Sequence, residues 1–133
     1  MIAPNKTIFT NGCFDVLHRG HIELLQYCAR LGDVVVGLNS DASVKRIKGD
    51  GRPINNETSR KFLLDSIRYV SKVHIFDEDT PYRLISEIRP ALIVKGGDYL
   101  PQNVIGADIA EIRIFPYIEG ESTTSILKRI RSL

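Results

Sequence analysis

The sequence predicts an α/β fold built on a parallel β-sheet, and three observations support this prediction. Short apolar runs alternate with amphipathic stretches along the chain, which is typical of strands that alternate with helices. The run Asp33–Asn39 is almost entirely apolar and rich in β-branched residues, as expected for a strand covered on both faces. The chain has 133 residues, the size of one domain, so we expect residues 1–133 to form a single domain.

Five segments are predicted to be strands because they are short, apolar and rich in residues that favour extended backbone. In chain order these segments are Lys6–Thr10, Asp33–Asn39, Lys72–Phe76, Ala91–Val94 and Glu111–Phe115. Helical segments separate most of them. We therefore expect a Rossmann-like, five-stranded parallel sheet with helices on both of its faces.

The helices are predicted from apolar residues that recur along one face. In Gly20–Leu31 these residues include Leu24, Leu25 and Cys28, and Gly32 follows where a C-cap residue belongs. We expect Cys28 to lie in the core. The other predicted helices are Glu57–Val70, Pro81–Ile88 and Ser122–Ser132.

The composition argues against several classes of function. The formal net charge of +2 is too small for the strong positive field that holds nucleic acid, so we expect no nucleic-acid partner. Two cysteines, Cys13 and Cys28, are too few for a disulfide framework. The N-terminus lacks the apolar core of a signal peptide, and no apolar run approaches the ~20 residues of a membrane span. We expect a cytoplasmic protein with no membrane partner.

The segment after the first strand is the strongest candidate for a functional site, because ligands of such sheets bind at the carboxyl ends of the strands. It reads TNGCFDVLHRGH, and a helix is predicted to begin at its end. A helix N-terminus offers unpaired N–H groups that suit a phosphate. His18 and His21 share one face of the helical turn and can donate to the same phosphate. Gly12 and Gly20 allow a ligand to approach the backbone closely.

Two alternatives would explain these histidines without a nucleotide. A histidine near a helix start is often a capping or surface residue. Paired histidines also bind metal ions, although the usual helical pair is spaced one residue further apart. The position directly after the first strand favours a phosphate site over both alternatives.

A basic segment follows the second strand. We predict that it is a glycine-containing loop with four cations within eight residues: Lys45, Arg46, Lys48 and Arg52. Such a loop can order over an anionic ligand and place a cation against its phosphates. The alternative is a flexible, solvated loop that binds nothing.

Polar residues also follow the fourth and fifth strands. After the Gly96-Gly97 pair, Asp98 could accept a hydrogen bond from a ribose or an exocyclic amine, and a plain turn is the alternative. Ser122 is a natural N-cap of the last helix, where Thr123 adds a second hydroxyl. These signals fall at the same edge of one sheet, which favours a functional site there.

The chain resembles the HxGH nucleotidyltransferases, the cytidylyltransferase-like group. The shared motifs are GCFD at residues 12–15, HRGH at residues 18–21 and STT at residues 122–124. Within the group the chain is most similar to the adenylyltransferase domain of bacterial ADP-heptose synthases. That similarity depends on three longer stretches: NSDASVKRIKGDGRPIN at 39–55, DTPYRL at 79–84 and VKGGDY at 94–99.

The resemblance implies a reaction. A sugar 1-phosphate, D-glycero-D-manno-heptose 1-phosphate, attacks the α-phosphorus of ATP, and the products are ADP-heptose and pyrophosphate. The resemblance also implies Mg²⁺ as the cofactor, held mainly by the triphosphate and water, and a homodimer. Free-standing domains of this kind are an accepted arrangement in the family.

The resemblance and the reaction together imply roles for individual residues. His18, His21, Lys48 and Lys45 are expected to be catalytic, because they would stabilise charge on the triphosphate. Asp15 and Lys45 are expected to contact the acceptor. The expected nucleotide-binding residues are Gly12, Cys13, Phe14, His18, Gly20, His21, Arg60, Gly96, Asp98, Tyr117, Glu119, Gly120, Ser122, Thr123 and Thr124.

Three residues, Arg60, Cys13 and His74, can be explained by a structural role as well as by a functional one. Arg60 is either a phosphate-binding or a structural arginine. Cys13 is interpreted as a small packing residue inside the loop rather than a redox group. His74, on the third strand, is interpreted as structural.

Two alternative functions remain. A CTP-dependent enzyme acting on glycerol 3-phosphate or another phosphorylated alcohol is favoured by the segments IRYV at 67–70 and EGESTT at 119–124. Tyr117 and the VKGGDY stretch favour ATP instead. The second alternative is a nucleotide-binding regulatory module without catalysis, and the intact histidines and lysines argue against it.

Overall fold

The computed structural model describes residues 6–116 and 122–133. Within these ranges, five strands form one sheet: β1 (Thr7–Gly12), β2 (Asp33–Asn39), β3 (Lys72–Phe76), β4 (Leu92–Gly96) and β5 (Glu111–Phe115). The strand order is β3-β2-β1-β4-β5, and every neighbouring pair is parallel. The predicted α/β class and five-stranded parallel sheet are confirmed.

The described residues also form five α-helices, which are α1 (Arg19–Leu31), α2 (Asp41–Lys48), α3 (Glu57–Asp65), α4 (Tyr82–Ile88) and α5 (Thr123–Arg131). A short 3₁₀ turn covers Pro101–Asn103. Four of the helices begin at a polar residue whose side chain accepts a backbone N–H of the first turn, as N-cap residues do: His18, Ser40, Asn56 and Ser122.

Two helices differ from the sequence-based prediction. Helix α2 occupies the segment predicted to be a loop, because Ser40 caps its first turn and Val44 is fully buried. Helix α3 ends at Asp65 rather than Val70. There the backbone changes to three-residue turns, in which the Ile67 N–H bonds to the Leu64 carbonyl and the Val70 N–H bonds to the Ile67 carbonyl.

The sheet has an apolar core on each face. On one face, Ile8 of β1 packs in a cluster that includes Leu25 of α1 and Leu64 of α3. On the other face, the next residue, Phe9, packs with Ile85 of α4 and with a smaller set of residues. This alternation follows the period of two along a strand. Helices therefore cover both faces as predicted, and Cys28 is fully buried as expected.

The order of the strands reverses next to β1. The chain passes outward from β1 through β2 to β3, and then returns to the other side of β1 as β4. In open α/β sheets, ligands bind in the crevice at the carboxyl ends of the two strands that flank such a reversal. Here those ends are Gly12 of β1 and Gly96 of β4.

Candidate active site at the carboxyl ends of β1 and β4

Two adjoining cavities open at this edge of the sheet. Their volumes are about 590 Å³ and 280 Å³. They share one wall, formed by residues 11–14 at the end of β1, the two histidines, Lys48, Lys95, Tyr99 and Ser122. The strand reversal and the cavities therefore identify the same place.

The two histidines cap helix α1 reciprocally. His18 is the N-cap residue, and its Nδ1 accepts the Gly20 N–H at 3.0 Å. The Nδ1 of His21 accepts the His18 N–H at 3.2 Å. A neutral imidazole has one acceptor nitrogen and one donor nitrogen, so this network assigns the proton of both rings to Nε2. The capping alternative is therefore realised, and in this tautomer the donor hydrogen of each ring is on Nε2, the type of donor that a phosphate contact requires.

The surroundings of His21 favour a neutral ring. The rings of His18 and His21 stack with their centroids 3.9 Å apart, and the ring of Phe14 lies 5.1 Å from that of His21. Burial lowers the pKa of His21 to about 4, and the neighbouring His18 acts in the same direction. At neutral pH, His21 is thus a hydrogen-bond donor without a net charge.

The loop between β1 and α1 is held in a strained backbone conformation. Phe14 and Val16 have φ angles of 47° and 51°, a backbone region that residues other than glycine rarely adopt. The hydroxyl of Thr123 donates to the carbonyl of Asp15 between them, at 2.6 Å. Such strain persists only where surrounding contacts hold it, and it is concentrated at functional sites. The start of α5 therefore fixes the loop that carries the histidines.

Asp15 uses its carboxylate to position the chain after α2. It is only 2% exposed, and its two oxygens accept the N–H groups of Ile54 and Asn55 at 2.6 and 2.9 Å. The Nε of Arg52 lies 3.5 Å from the same carboxylate. Asp15 and Arg52 both line the larger cavity. The predicted acceptor-binding aspartate is therefore in the site, but its carboxylate is bonded to the protein.

Only one of the two predicted catalytic lysines lies at the cavities. Lys48, the last residue of α2, lines both. Lys45 lines neither; its side chain is 67% exposed, and its Nζ is 3.9 Å from Asp50. The sequence analysis expected Lys48 or Lys45 to reach the phosphates, and in the structure Lys48 is the one that lies at the cavities.

Arg60 is a structural residue in this conformation. Its side chain is fully buried and lines neither cavity. Its guanidinium donates to the carbonyls of Cys13, Asn39 and Asn55, each at 2.8 Å, and forms an ion pair with Asp41 at 2.8 Å. Of the two interpretations left open by the sequence, the structure supports the structural one, because these protein groups use the guanidinium.

The remaining predicted residues divide into three groups. Those lining at least one cavity are Gly12, Cys13, Phe14, Gly20, Gly96, Ser122, Thr123 and Thr124. Asp98 is exposed and lines neither. Tyr117, Glu119 and Gly120 lie outside the described residues.

Burial raises the pKa of the Cys13 thiol, which disfavours the reactive thiolate.

Several residues that line the cavities were missed by the sequence analysis. Asp79, Thr80 and Asn103 line the larger cavity, and Lys95 and Tyr99 line both. Asp79 and Thr80 follow β3, and Lys95 is at the end of β4. The rule that places ligands at the carboxyl ends of strands could have identified these three.

Two features are absent from residues 6–116 and 122–133. No helix in this part of the chain combines the length and apolarity required to cross a membrane. No three histidine, cysteine, aspartate or glutamate side chains in it are grouped so that they could hold a metal ion.

The chain is similar in sequence to known proteins. The chain is 56% identical over 129 residues to the bifunctional protein HldE of a Nitratiruptor species. It is 54% identical over 131 residues to the bifunctional protein HldE of Campylobacter concisus. The alignments cover 96% and 97% of this chain but only 28% of each relative, so the chain spans little more than a quarter of their length.

Two solved structures share the fold. The lipopolysaccharide core biosynthesis protein from Thermoplasma volcanium has a TM-score of 0.71 and 24% identity, covering 85% of this chain and 96% of that one. Pantothenate synthetase from Thermus thermophilus has a TM-score of 0.58 and 15% identity, covering 88% of this chain and 58% of that one. At these identities the likeness concerns the fold alone.

The family assignment comes from the sequence match itself. Residues 9–127 match the family described as Cytidylyltransferase-like, and this range includes the histidine cap, Lys48, Lys95 and the start of α5. A match over most of the chain is sufficient to establish membership. The chain belongs to the cytidylyltransferase-like family and is a nucleotidyltransferase.

Proposed function

We propose that this protein transfers AMP from ATP to a sugar 1-phosphate, D-glycero-D-manno-heptose 1-phosphate, giving ADP-heptose and pyrophosphate. The observation that carries the proposal is the pair of cavities that share a wall of phosphate-binding groups. Support for the substrate comes from the resemblance of residues 39–55, 79–84 and 94–99 to the heptose branch. Relatives named HldE, more than half identical over nearly the whole chain, support the same branch.

The smaller cavity suits the nucleoside. It is lined by Leu24 of α1 and Phe115 of β5, which offer apolar surface to a base. Gly96 and Gly97 line the same cavity at the end of β4, where the absence of side chains leaves room against the backbone. We assign the adenosine to this cavity on these grounds.

The larger cavity suits a phosphorylated sugar. Asn39, Asp79, Thr80 and Asn103 offer hydrogen-bonding groups for hydroxyls. Arg52 adds a guanidinium, which is well shaped to bind a phosphate. A polar lining of this kind favours a sugar over a short alcohol, because more hydroxyls can be paired.

The transfer needs alignment and neutralisation of charge rather than a general base. An oxygen of the acceptor phosphate bonds to the α-phosphorus, and the bond from that phosphorus to the oxygen bridging to the β-phosphate breaks. Pyrophosphate leaves with the electron pair, and no proton must move because the attacking phosphate is already ionised. His18 and His21 donate from Nε2 to phosphate oxygens, and Lys48 offsets the charge that develops.

Mg²⁺ is the cofactor that we propose for this reaction. Among the described residues, no three histidine, cysteine, aspartate or glutamate side chains are grouped so that they could hold a metal ion, and the Asp15 carboxylate accepts backbone N–H groups. This donor set fits an ion that is held by the triphosphate and water. When bound, Mg²⁺ would neutralise charge on the phosphate oxygens.

Pyrophosphate release tests the proposal directly. Each of ATP, CTP, GTP and UTP is paired with heptose 1-phosphate and with glycerol 3-phosphate in the presence of Mg²⁺, and enzyme-free reactions are the blank. We expect release only with ATP and the heptose phosphate. Release with CTP and glycerol 3-phosphate would instead assign the protein to the cytidylyltransferase alternative. ATP binding without release in any pairing would favour the regulatory module.

The homodimer implied by the resemblance is also a proposal. Sedimentation velocity of the purified chain measures it without a substrate. A single species of twice the chain mass is expected, and a monomer over the whole concentration range would contradict it.

A further inference from the structure

Lys95 occupies a special position in the sheet. It lies in β4, one residue before the end of the strand, on the strand that flanks the reversal of order. It lines both cavities, as do His18, His21 and Lys48. A side chain that lines both cavities can contact a nucleotide bound in the smaller cavity and an acceptor bound in the larger one.

The charge of Lys95 lacks a carboxylate partner within the described part of the chain. The cations Arg46, Arg52 and Arg60 each have a carboxylate within ion-pair distance. Lys95 and Lys48 have no such ion pair among these residues, although Lys95 is half-buried. The Lys95 ammonium instead lies 5.5 Å from the centroid of the Tyr99 ring.

This arrangement costs free energy until an anion is present. Burial lowers the pKa of Lys95, and the charge of Lys48 acts in the same direction. An anion between the two ammonium groups would relieve both effects, since it supplies the missing opposite charge. The aromatic face of Tyr99 holds the ammonium in place without neutralising it.

We infer that Lys95 is a further phosphate-binding residue, whose ammonium contacts the phosphoryl group that is transferred. The inference rests on the proposed nucleotidyl transfer. With the adenosine in the smaller cavity and the acceptor phosphate in the larger one, the α-phosphorus lies where the two cavities adjoin and must be accessible from both. Lys95 then stabilises charge on the α-phosphoryl oxygens while one P–O bond forms and the other breaks.

The experiment compares Lys95→Met, Lys95→Arg and the control Lys72→Met, in which an exposed lysine of β3 is changed. Steady-state kinetics are measured with the pair of substrates that the wild-type protein uses. We expect Lys95→Met to lower kcat roughly 10²-fold, as for loss of one charge-assisted donor. KM for either substrate should change less than about fivefold, because the contact strengthens in the transition state. Lys95→Arg should recover roughly tenfold of the loss.

A kcat for Lys95→Met within about threefold of the wild-type value would overturn the inference. So would an equal loss in Lys95→Arg accompanied by a lowered Tm in both variants, since that pattern indicates a packing role. If the wild-type protein releases no pyrophosphate with any pair, the proposed function fails separately. Calorimetric titration with AMP, which carries the α-phosphate, then decides the inference: Lys95→Met should weaken AMP binding roughly two- to fivefold relative to Lys72→Met. Equal binding in these two variants, or no AMP binding by the wild-type protein, would overturn it.

Discussion

Two regions meet at the candidate site, and they hold their polar groups in opposite ways. In the histidine loop, residues 12–21, both imidazoles are fixed by backbone N–H groups of their own helix turn. In the basic segment, residues 41–52, three of the four cations lie on the short helix α2, and its two lysines, Lys45 and Lys48, are exposed. The histidine loop is preorganised, whereas the lysines of the basic segment keep their side-chain freedom.

This difference shows how the site divides its work. Fixed donors stabilise a transition state without reorganisation, so their removal should affect the chemical step most. Exposed lysines lose side-chain entropy when they bind, so each contributes less. The following changes test this division, from the largest expected effect to the smallest.

Arg60→Met breaks the connection between the two regions. Arg60 bonds to Cys13 of the histidine loop and to Asp41 of the basic segment. The variant leaves buried carbonyls unpaired and the Asp41 carboxylate without its partner, so we expect a loss of about 3–5 kcal/mol in the free energy of unfolding. Urea denaturation measures it, with Arg83→Met, an exposed arginine of α4, as the control. A loss below about 1 kcal/mol would contradict the structural role.

His18→Ala and His21→Ala remove the fixed donors. Each should lower kcat by a factor of about 10²–10³, which corresponds to roughly 2.7–4 kcal/mol. Circular dichroism should show an intact fold, although loss of the His18 cap costs about 1 kcal/mol of stability. The third histidine provides the control, because His74 lies on β3 and lines neither cavity. Wild-type turnover in either folded variant would refute the mechanism.

Lys48→Met and Lys45→Met separate the lysines within the basic segment. Lys48 lines both cavities and Lys45 lines neither. We expect the Lys48 variant to lower kcat/KM roughly 10- to 100-fold, the range for a hydrogen bond to a charged group. The Lys45 variant should change it less than about threefold. Equal losses in both variants would mean that α2 moves when ligand binds.

The pH dependence of stability reports the environment of His21. Its pKa is lowered from 6.5 to about 4 in the folded protein, so the unfolded chain binds more protons between these values. The free energy of unfolding should therefore fall as the pH is lowered from about 6.5 to about 4. We expect this decrease in the free energy of unfolding to be on the order of 1–2 kcal/mol, because solvent at the half-buried ring weakens the effect of burial. In urea melts, His21→Gln should lack this component, and identical pH dependence in both proteins would refute it.

The sequence predicted most of the sheet and the histidine loop because their signals are local. The β2 and β3 boundaries follow from apolar runs, and the site at the carboxyl ends follows from the parallel order. Helix α2 was missed because its composition is charged, while its stability comes from the Ser40 cap and the burial of Val44. A tertiary contact outweighed the local composition there.

The different roles of the lysines and arginines could not be predicted, because they depend on how deeply each side chain is buried and on which groups it contacts. Lys45 and Lys48 are both lysines of the same basic segment, and only their positions on α2 distinguish the one that lines the cavities, Lys48, from the one that does not. Arg60 was open to two interpretations until its carbonyl partners from distant parts of the chain were known. Lys95 was overlooked because the adjacent glycines gave the stronger local signal.

The guanidinium of Arg60 also has a consequence for local opening of the protein. Through one side chain of α3 it joins the carbonyl of Cys13, just after β1, to that of Asn39 at the end of β2 and that of Asn55 before α3. Unfolding of α3 would withdraw that side chain and release the segments after β1 and β2 at once. The amides of α3, the histidine loop and the start of α2 should therefore exchange their hydrogens as one cooperative unit, at a free energy above that of the exposed β3 edge.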